Sequence, residues 1–181
     1  DTGDVPLVAD MSSTILSRPI DVSRFGVIYA GAQKNLGPAG ATIVIIRDDL
    51  LAKSRDDLPA YLSYKTHAKK DSMYNTPPVF AVYALKLVLD WIKGNGGLPE
   101  MERRADERSN TIYSVIDAYP DFYRSPVAKK DRSKMNIVFR LPTEELEKRF
   151  VAEAEAKEMI GLKGHRSVGG CRASVYNSMP I

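Results

Sequence analysis

Three uninterrupted apolar runs in the first 46 residues constrain the fold of this chain more than any other feature. They occupy residues 5–9, 27–30 and 41–46. Apolar runs without polar alternation predict strands that are covered on both faces. A connection rich in Gly and Pro, residues 31–40, separates the last two runs, which predicts a tight turn between antiparallel neighbours.

Two helices are predicted in the middle of the chain, after a polar loop at residues 64–72. The first helix starts at the pair of prolines at 77–78 and ends at the glycines of 94–97. Its predicted buried face contains Phe80, Ala84, Leu87, Val88 and Trp91. The second helix starts near Pro99, with Met101, Ala105, Ile112, Val115 and Ile116 at helical spacing.

The last part of the chain predicts a small α+β unit. Residues 135–141 form a half-buried strand, residues 144–160 a helix closed by Gly161, and residues 171–177 a second strand. We therefore place a domain boundary near residue 100.

Composition excludes several classes of protein. With 26 Lys+Arg against 23 Asp+Glu, the net charge of +3 gives no case for nucleic-acid binding. A single cysteine, Cys171, excludes a disulfide scaffold and points to a reducing compartment. No apolar run approaches the ~20 residues of a membrane helix. The chain starts without a signal peptide or an initiator Met, so we expect it to begin inside a longer protein.

Asp10 directly follows the first predicted strand. One interpretation is a ligand-binding carboxylate, because ligands of α/β sheets bind at the carboxyl ends of strands. The other is a turn cap, since Asp commonly starts turns and Ser12 and Ser13 follow it.

Lys34 follows Gln33 in the connection between two predicted buried strands. Desolvation beside a dry core lowers the pKa of a lysine, and the neutral amine is then a nucleophile that forms imines. A solvated turn lysine is the alternative, and sequence position alone does not separate the two.

Two further segments have the chemistry of anion sites. His165, Arg166 and Arg172 surround adjacent glycines, and guanidinium groups bind carboxylate or phosphate through paired hydrogen bonds. A basic surface turn is the alternative. Asn75 and Thr76 precede the predicted helix, where such residues either cap the helix or hold a phosphate. The two histidines and the cysteine lack metal-ligand spacing.

Four segments occur in an order that is specific to one family. They are ADMSS at 9–13, YAGAQKN at 29–35 with GPAG at 37–40, NTPP at 75–78, and GHRSVGGCRAS at 164–174. With them the whole chain resembles the phosphoserine aminotransferase family, whose members are fold-type-I enzymes that use pyridoxal 5′-phosphate (PLP).

The resemblance implies a set of cofactor-binding residues. Lys34 forms the Schiff base with PLP and carries the proton between the substrate α-carbon and the cofactor. Asp10 pairs with the protonated pyridine nitrogen, and Gln33 holds the cofactor phosphate. Asn75 and Thr76 reach the phosphate of the neighbouring subunit's PLP, which implies a homodimer with shared active sites.

The resemblance also implies substrate contacts. Arg172 is similar to the family's clamp for the α-carboxylate, and His165 with Arg166 to its contacts with the phosphate of phosphoserine. The implied reaction is cytoplasmic and follows a ping-pong mechanism. It converts 3-phosphohydroxypyruvate and glutamate to phosphoserine and 2-oxoglutarate, and no nucleic acid or membrane takes part.

The implied fold is α/β. Residues 1–100 form the C-terminal part of the PLP-binding large domain, and residues 101–181 form a small C-terminal α+β domain that is incomplete at its end. Because half of such an enzyme is missing, we expect the 181-residue chain alone to be inactive. Two alternatives stay open: a PLP transaminase of the same fold but of the alanine–glyoxylate type, and a non-catalytic fragment that serves as an interaction module.

Overall fold

The computed structural model describes residues 2–181, which divide into two compact units, one up to Leu98 and one from Pro99 onward. The first unit contains three strands and three α-helices: β1 (Val8–Asp10), β2 (Val27–Gly31), β3 (Thr42–Ile46), α1 (Asp48–Ala52), α2 (Tyr64–Lys69) and α3 (Val79–Gly94). The other elements are α4 (Gly97–Ala118), β4 (Asn136–Phe139), α5 (Glu144–Glu155) and β5 (Cys171–Ser174).

Strand β2 lies at the centre of a three-stranded sheet in the order β1-β2-β3. It pairs in parallel with β1, where Asp10 lies opposite Tyr29. It pairs in antiparallel with β3, where Tyr29 lies opposite Val44. The predicted antiparallel pairing of the second and third apolar runs is confirmed.

The prediction that these strands are covered on both faces is wrong for this chain. Only β2 contributes fully buried side chains, Ile28 and Ala30. Val8 on β1 is 59% exposed and Ile45 on β3 is 40% exposed. Both belong to edge strands, and an apolar run does not distinguish an edge strand from a central one.

The core of the first unit lies beside β2, where Ile15, Ala30, Ala32 and Leu36 are buried together. Full burial of one such Ile or Leu side chain contributes roughly 1.5–3 kcal/mol. The connection after β2 spans residues 32–41, as long as predicted, but it is not a simple tight turn. It contains a helical turn in which the Leu36 and Gly37 N–H groups donate to the Ala32 carbonyl at 3.1 and 2.9 Å.

Helix α2 lies inside the segment predicted to be a polar loop. Ser63 caps it, since its hydroxyl accepts a hydrogen bond from the Thr66 N–H. His67 is held rather than freely solvated, because its Nε2 lies 2.9 Å from the Tyr61 carbonyl oxygen. Its ring also meets those of Tyr61 and Tyr74 edge to face.

Helix α3 is confirmed, but its predicted buried face is wrong for Phe80, Leu87 and Trp91, whereas Ala84 and Val88 are half-buried. Ala81 and Ile92 are its buried residues, whereas Phe80 is 76% exposed and Trp91 39% exposed. The helix is apolar on several sides, so periodicity alone could not select the side that packs.

The second unit packs a two-stranded antiparallel sheet against helices. In β4 and β5, Ile137 lies opposite Ala173 and Phe139 opposite Cys171. These four residues form a buried cluster with Ile116 of α4, Leu141 and Val175. The predicted strands and helices are present. Both strands are shorter than predicted, α4 begins at Gly97 rather than near Pro99, and α5 ends at Glu155 rather than at residue 160. Within residues 2–181, no helix is long and apolar enough to cross a membrane.

Candidate active site

The parallel register of β1 and β2 brings two predicted functional residues to one edge of the sheet. Asp10 ends β1, and Gly31 ends β2 three residues before Lys34. The Met11 N–H donates to the Tyr29 carbonyl at 2.8 Å, which continues the pairing beyond Asp10. The carboxylate and the ammonium group therefore leave the sheet on the same side.

The Asp10 carboxylate is exposed and held by a local turn. Its Oδ1 accepts hydrogen bonds from the Ser12 N–H at 2.9 Å and the Ser12 hydroxyl at 2.6 Å. These bonds lower the pKa of Asp10 below its ordinary value, and the positive charge of Lys34 lowers it further. Asp10 is thus a turn cap, and it is also a carboxylate that stays ionised beside Lys34.

Lys34 is exposed in this chain, so the predicted desolvated lysine is wrong here. Ala32, Asn35 and Leu36 from the same connection fill the interior, and Lys34 faces outward. Its Nζ donates a hydrogen bond to the Ser13 hydroxyl at 3.0 Å. This contact ties the lysine to the segment that follows Asp10.

Sequence reasoning did not predict the contacts that Ser12, Ser13 and Asn35 make in this arrangement. The Asn35 amide donates to the carbonyl oxygens of Ser13 at 3.2 Å and Ile15 at 3.1 Å. The Ser12 hydroxyl accepts from the Gly31 N–H at 3.0 Å. The sequence indicates Ser12 and Ser13 only as residues of the turn at Asp10, and Asn35 only through its place inside the family segments.

The remaining cofactor candidates are exposed. Neither Asn75 nor Thr76 caps α3, because the helix begins at Val79 with Pro78 before it and without a side-chain cap. The capping interpretation is therefore wrong, and the Asn75 amide instead donates to the Thr76 carbonyl at 3.0 Å. The Gln33 side chain folds back over Gly31, where a Cβ would overlap it.

Arg172 lies on β5 opposite Val138, on the face of the two-stranded sheet that points away from the core. Its Nε is buried, and no acceptor for it exists among residues 2–181. Next to it, the hydroxyl groups of Ser174 and Tyr176 both donate to Asn136 Oδ1 at 3.0 Å. An unpaired guanidinium N–H is suited to an incoming carboxylate.

His165 and Arg166 lie in an exposed loop of residues 164–170. The loop is closed by a hydrogen bond from the Gly164 N–H to the Gly170 carbonyl at 2.8 Å. Inside it, His165 Nδ1 lies 2.8 Å from the Ser167 hydroxyl. The Arg166 side chain is exposed to solvent and open to an anion.

The structure thus groups the candidates by unit. The first unit contains the cofactor candidates Asp10, Gln33, Lys34, Asn75 and Thr76, and the second contains the cationic candidates His165, Arg166 and Arg172.

The part of the chain that the structure describes contains no group of three or more His, Cys, Asp or Glu side chains that could hold a metal ion. Burial raises the pKa of Cys171 to about 11, which keeps it a thiol.

Comparisons with protein families and with curated proteins both find aminotransferases. The family model Aminotransferase class-V matches residues 2–181. Phosphoserine aminotransferase of Lysinibacillus sphaericus is 57% identical over 181 residues, which are 100% of this chain and 50% of that protein. The chain therefore spans about half the length of the curated relatives it matches.

Solved structures agree in fold over nearly the whole chain. Phosphoserine aminotransferase from Bacillus circulans subsp. alkalophilus superposes with a TM-score of 0.94 at 54% identity, covering 99% of this chain and 50% of that one. A structure describing radiation damage of the Schiff base in a phosphoserine aminotransferase gives 0.92 at 53% identity, covering 97% and 48%. The α/β fold is thus that of the fold-type-I PLP-dependent aminotransferases.

Proposed function

The chain belongs to the aminotransferase class-V family, and from this premise we propose that its protein is a phosphoserine aminotransferase. It transfers the amino group of glutamate to 3-phosphohydroxypyruvate and yields phosphoserine and 2-oxoglutarate. The observation that carries this proposal is the 57% identity to phosphoserine aminotransferase over all 181 residues. The proposed activity is that of the full-length protein, since the chain spans about half the length of the relatives it matches.

The first unit contains groups whose chemistry suits PLP. Bound PLP supplies an electron sink for the bonds at the substrate α-carbon. The Asp10 carboxylate, kept ionised by the Ser12 hydrogen bonds, pairs with the ring nitrogen and holds its proton there. Lys34 would hold the cofactor through its Nζ amine, and the same amine would move the proton at the substrate α-carbon.

Other residues of the first unit hold and orient these groups. Ser13 accepts from Lys34 Nζ and so holds the amine beside the segment that contains Asp10. Gln33 binds the cofactor phosphate. Asn75 and Thr76, which are exposed and do not cap a helix, bind the cofactor phosphate of the partner subunit in a homodimer with shared sites.

The second unit recognises the anions of the substrates. The unpaired Nε of Arg172 supports a clamp on the α-carboxylate that all of these substrates share. His165 and the exposed Arg166 bind the phosphate. Residues 1–100 are then part of the PLP-binding domain, residues 101–181 are the small domain, and the enzyme works in the cytoplasm.

Substitution of Lys34 tests the chemistry. In the full-length protein, Lys34→Ala is expected to lower the turnover of phosphoserine with 2-oxoglutarate about 10²–10⁴-fold, the range for loss of a positioned acid–base group. Mass spectrometry after borohydride reduction is expected to find no cofactor on the variant. The matched control is Lys157→Ala, an exposed lysine in the other unit. A Lys34→Ala variant that keeps both activity and attached cofactor overturns the proposal.

Substrate choice separates this function from an alanine–glyoxylate type of transaminase. The full-length protein is expected to turn over phosphoserine much faster than alanine, which carries no second anion. Arg166→Ala is expected to weaken only the reaction with phosphoserine. Equal effects on both amino acids would contradict the phosphate role of Arg166.

A further inference from the structure

The loop of residues 164–170, which we call the anion loop, has little packing of its own. Residues 165–169 are exposed, and Val168 is 67% exposed, so no apolar side chain anchors the loop in a core. Its internal bonds run from the N–H groups of Val168 and Gly169 to the His165 carbonyl at 2.9 and 2.8 Å. Its position relative to the sheet therefore depends on contacts with residues outside it.

Arg140, just after β4, supplies such a contact. Its Nη1 donates a hydrogen bond to the Val168 carbonyl at 2.9 Å. Its side chain also lies against the two glycines that end the loop. A Cβ on Gly170 would lie 2.6 Å from Arg140 Cδ, and one on Gly169 would lie 3.4 Å from Nη1. Both glycines have positive φ, 73° and 72°, so glycine lets the loop pass closely over Arg140.

Glu147, in the first turn of α5, fixes the other side of the same guanidinium. Its carboxylate accepts from Arg140 Nε at 2.6 Å and from the Leu141 N–H at 3.3 Å. The side chains are 30% and 9% exposed for Arg140 and Glu147. Because the pair is largely shielded from water, salt screens it less than a surface pair.

The backbone of Arg140 is fixed as well. Its N–H donates to the Arg124 carbonyl at 2.8 Å, and its carbonyl accepts from the Arg124 N–H at 2.9 Å. Arg140 is thus held by the backbone at one end and by Glu147 at the other. With both ends held, the Nη1 donor can set the height of Val168 above the sheet.

We propose that Arg140, locked by Glu147, is a positioning residue that sets the anion loop so that His165 and Arg166 meet the substrate phosphate. This inference rests on the proposed function, since it assumes that the loop binds phosphate. Arg140 acts through the loop, because its guanidinium donates to Glu147 on one side and to Val168 of the loop on the other.

The test uses the full-length protein and compares two amino-acid substrates. Arg140→Gln removes the guanidinium, and the double change of Arg140→Met with Glu147→Leu removes both charges so that neither stays buried without a partner. Arg149→Gln is the control, because Arg149 makes a comparable but exposed pair with Glu153 at 2.6 Å on the same helix. Arg166→Gln reports whether the loop binds phosphate at all.

We expect both Arg140 variants to raise the KM for phosphoserine about tenfold, as for one weakened bond to a charged group. The half-reaction with alanine, which lacks a second anion, is expected to keep its rate. Hydrogen exchange of the Gly169 amide is expected to speed up. Arg149→Gln is expected to change none of the three.

Three other outcomes would each overturn the inference, on different grounds. An unchanged KM in Arg140→Gln, with a raised KM in Arg166→Gln, overturns the role of Arg140 and leaves the proposed function standing. An unchanged KM in Arg166→Gln overturns the phosphate role of the loop and this inference with it. Equal losses with phosphoserine and alanine in the double variant identify a general structural role and also overturn the inference.

Discussion

The side-chain amide of Asn35 donates a hydrogen bond to the backbone carbonyl of Ile15, 3.1 Å away and 20 residues earlier in the chain. The same amide donates to the Ser13 carbonyl at 3.2 Å, and Asn35 itself is 4% exposed. Asn35→Ala removes the donor from two carbonyl groups in a shielded place. We expect the free energy of unfolding in urea to fall by about 1–3 kcal/mol.

A matched control for this change is Asn110→Ala. Asn110 is exposed on α4, and its replacement by Ala removes no buried donor. The effect on unfolding is expected to stay within about 0.5 kcal/mol. If both variants unfolded at the same urea concentration, the Asn35 bridge would contribute no net stability.

Asp10→Asn separates the charge of Asp10 from its part in the turn. An Asn side chain can still accept from the Ser12 N–H, so the urea midpoint is expected to change little. Loss of the carboxylate is expected to lower kcat about 10²–10³-fold, as for loss of one preorganised electrostatic partner. Asp21→Asn is the control, because Asp21 makes the same pair of bonds with Ser23.

The pH dependence of kcat gives a second check on the role of Asp10. The Ser12 hydrogen bonds and the Lys34 charge lower the pKa of Asp10 below its ordinary value of 3.8. The carboxyl is therefore ionised at every pH above this value, and we expect no titration of Asp10 in kcat between pH 5 and 9. A kinetic pKa in that range that disappears in Asp10→Asn would contradict this assignment.

The pattern of apolar runs was enough to predict where two residues of the candidate site lie. Asp10 follows an apolar run and Lys34 lies in the connection between two such runs, so the pattern predicts the first at a strand end and the second in a turn. The antiparallel pairing of β2 and β3 followed from their short connection. These inferences use residues close in sequence, where backbone geometry leaves few choices.

The contacts that were missed join residues of different elements. Arg140 meets both Glu147 and Val168, and no periodicity links these three positions. The buried side of α3 was also missed, because Phe80 and Ala81 are both apolar and only tertiary packing chooses between them. The exposure of Lys34 likewise depends on which neighbours fill the core.

Arg172→Lys tests the α-carboxylate clamp. Lysine keeps the charge but lacks the planar fork that binds a carboxylate through two bonds. Glutamate and phosphoserine share the α-carboxylate, so KM is expected to rise about tenfold for both. Arg149→Lys, on the exposed side of α5, serves as the control. An increase for phosphoserine alone would assign Arg172 to the phosphate instead.

The pair of Asp117 and Arg132 predicts a pH-dependent stability. Arg132 donates two hydrogen bonds to the Asp117 carboxylate, at 3.0 and 2.8 Å, and Lys129 lies 3.0 Å away. These contacts lower the pKa of Asp117 well below its ordinary value of 3.8. The stabilisation is therefore present above that value and is lost as the pH falls through the folded-state pKa.

Asp117→Asn is accordingly expected to lower the thermal midpoint at pH 7, and to change it less as the pH falls below 3.8. Asp131→Asn is the control at an exposed neighbouring carboxylate. Thermal unfolding followed by circular dichroism at several pH values measures both. A difference between Asp117→Asn and the parent chain that stays constant with pH would exclude this ion pair as its cause.

The register between β1 and β2 sets where this sequence tolerates insertions and deletions. Asp10 lies opposite Tyr29, and a shift of one residue in either strand would turn every side chain of that strand to the opposite face. The exposed residues 18–24 connect the two strands, and added length there costs little entropy. Length variation and peptide tags are therefore compatible with residues 18–24, whereas a single deletion within 27–31 would move Lys34 away from Asp10.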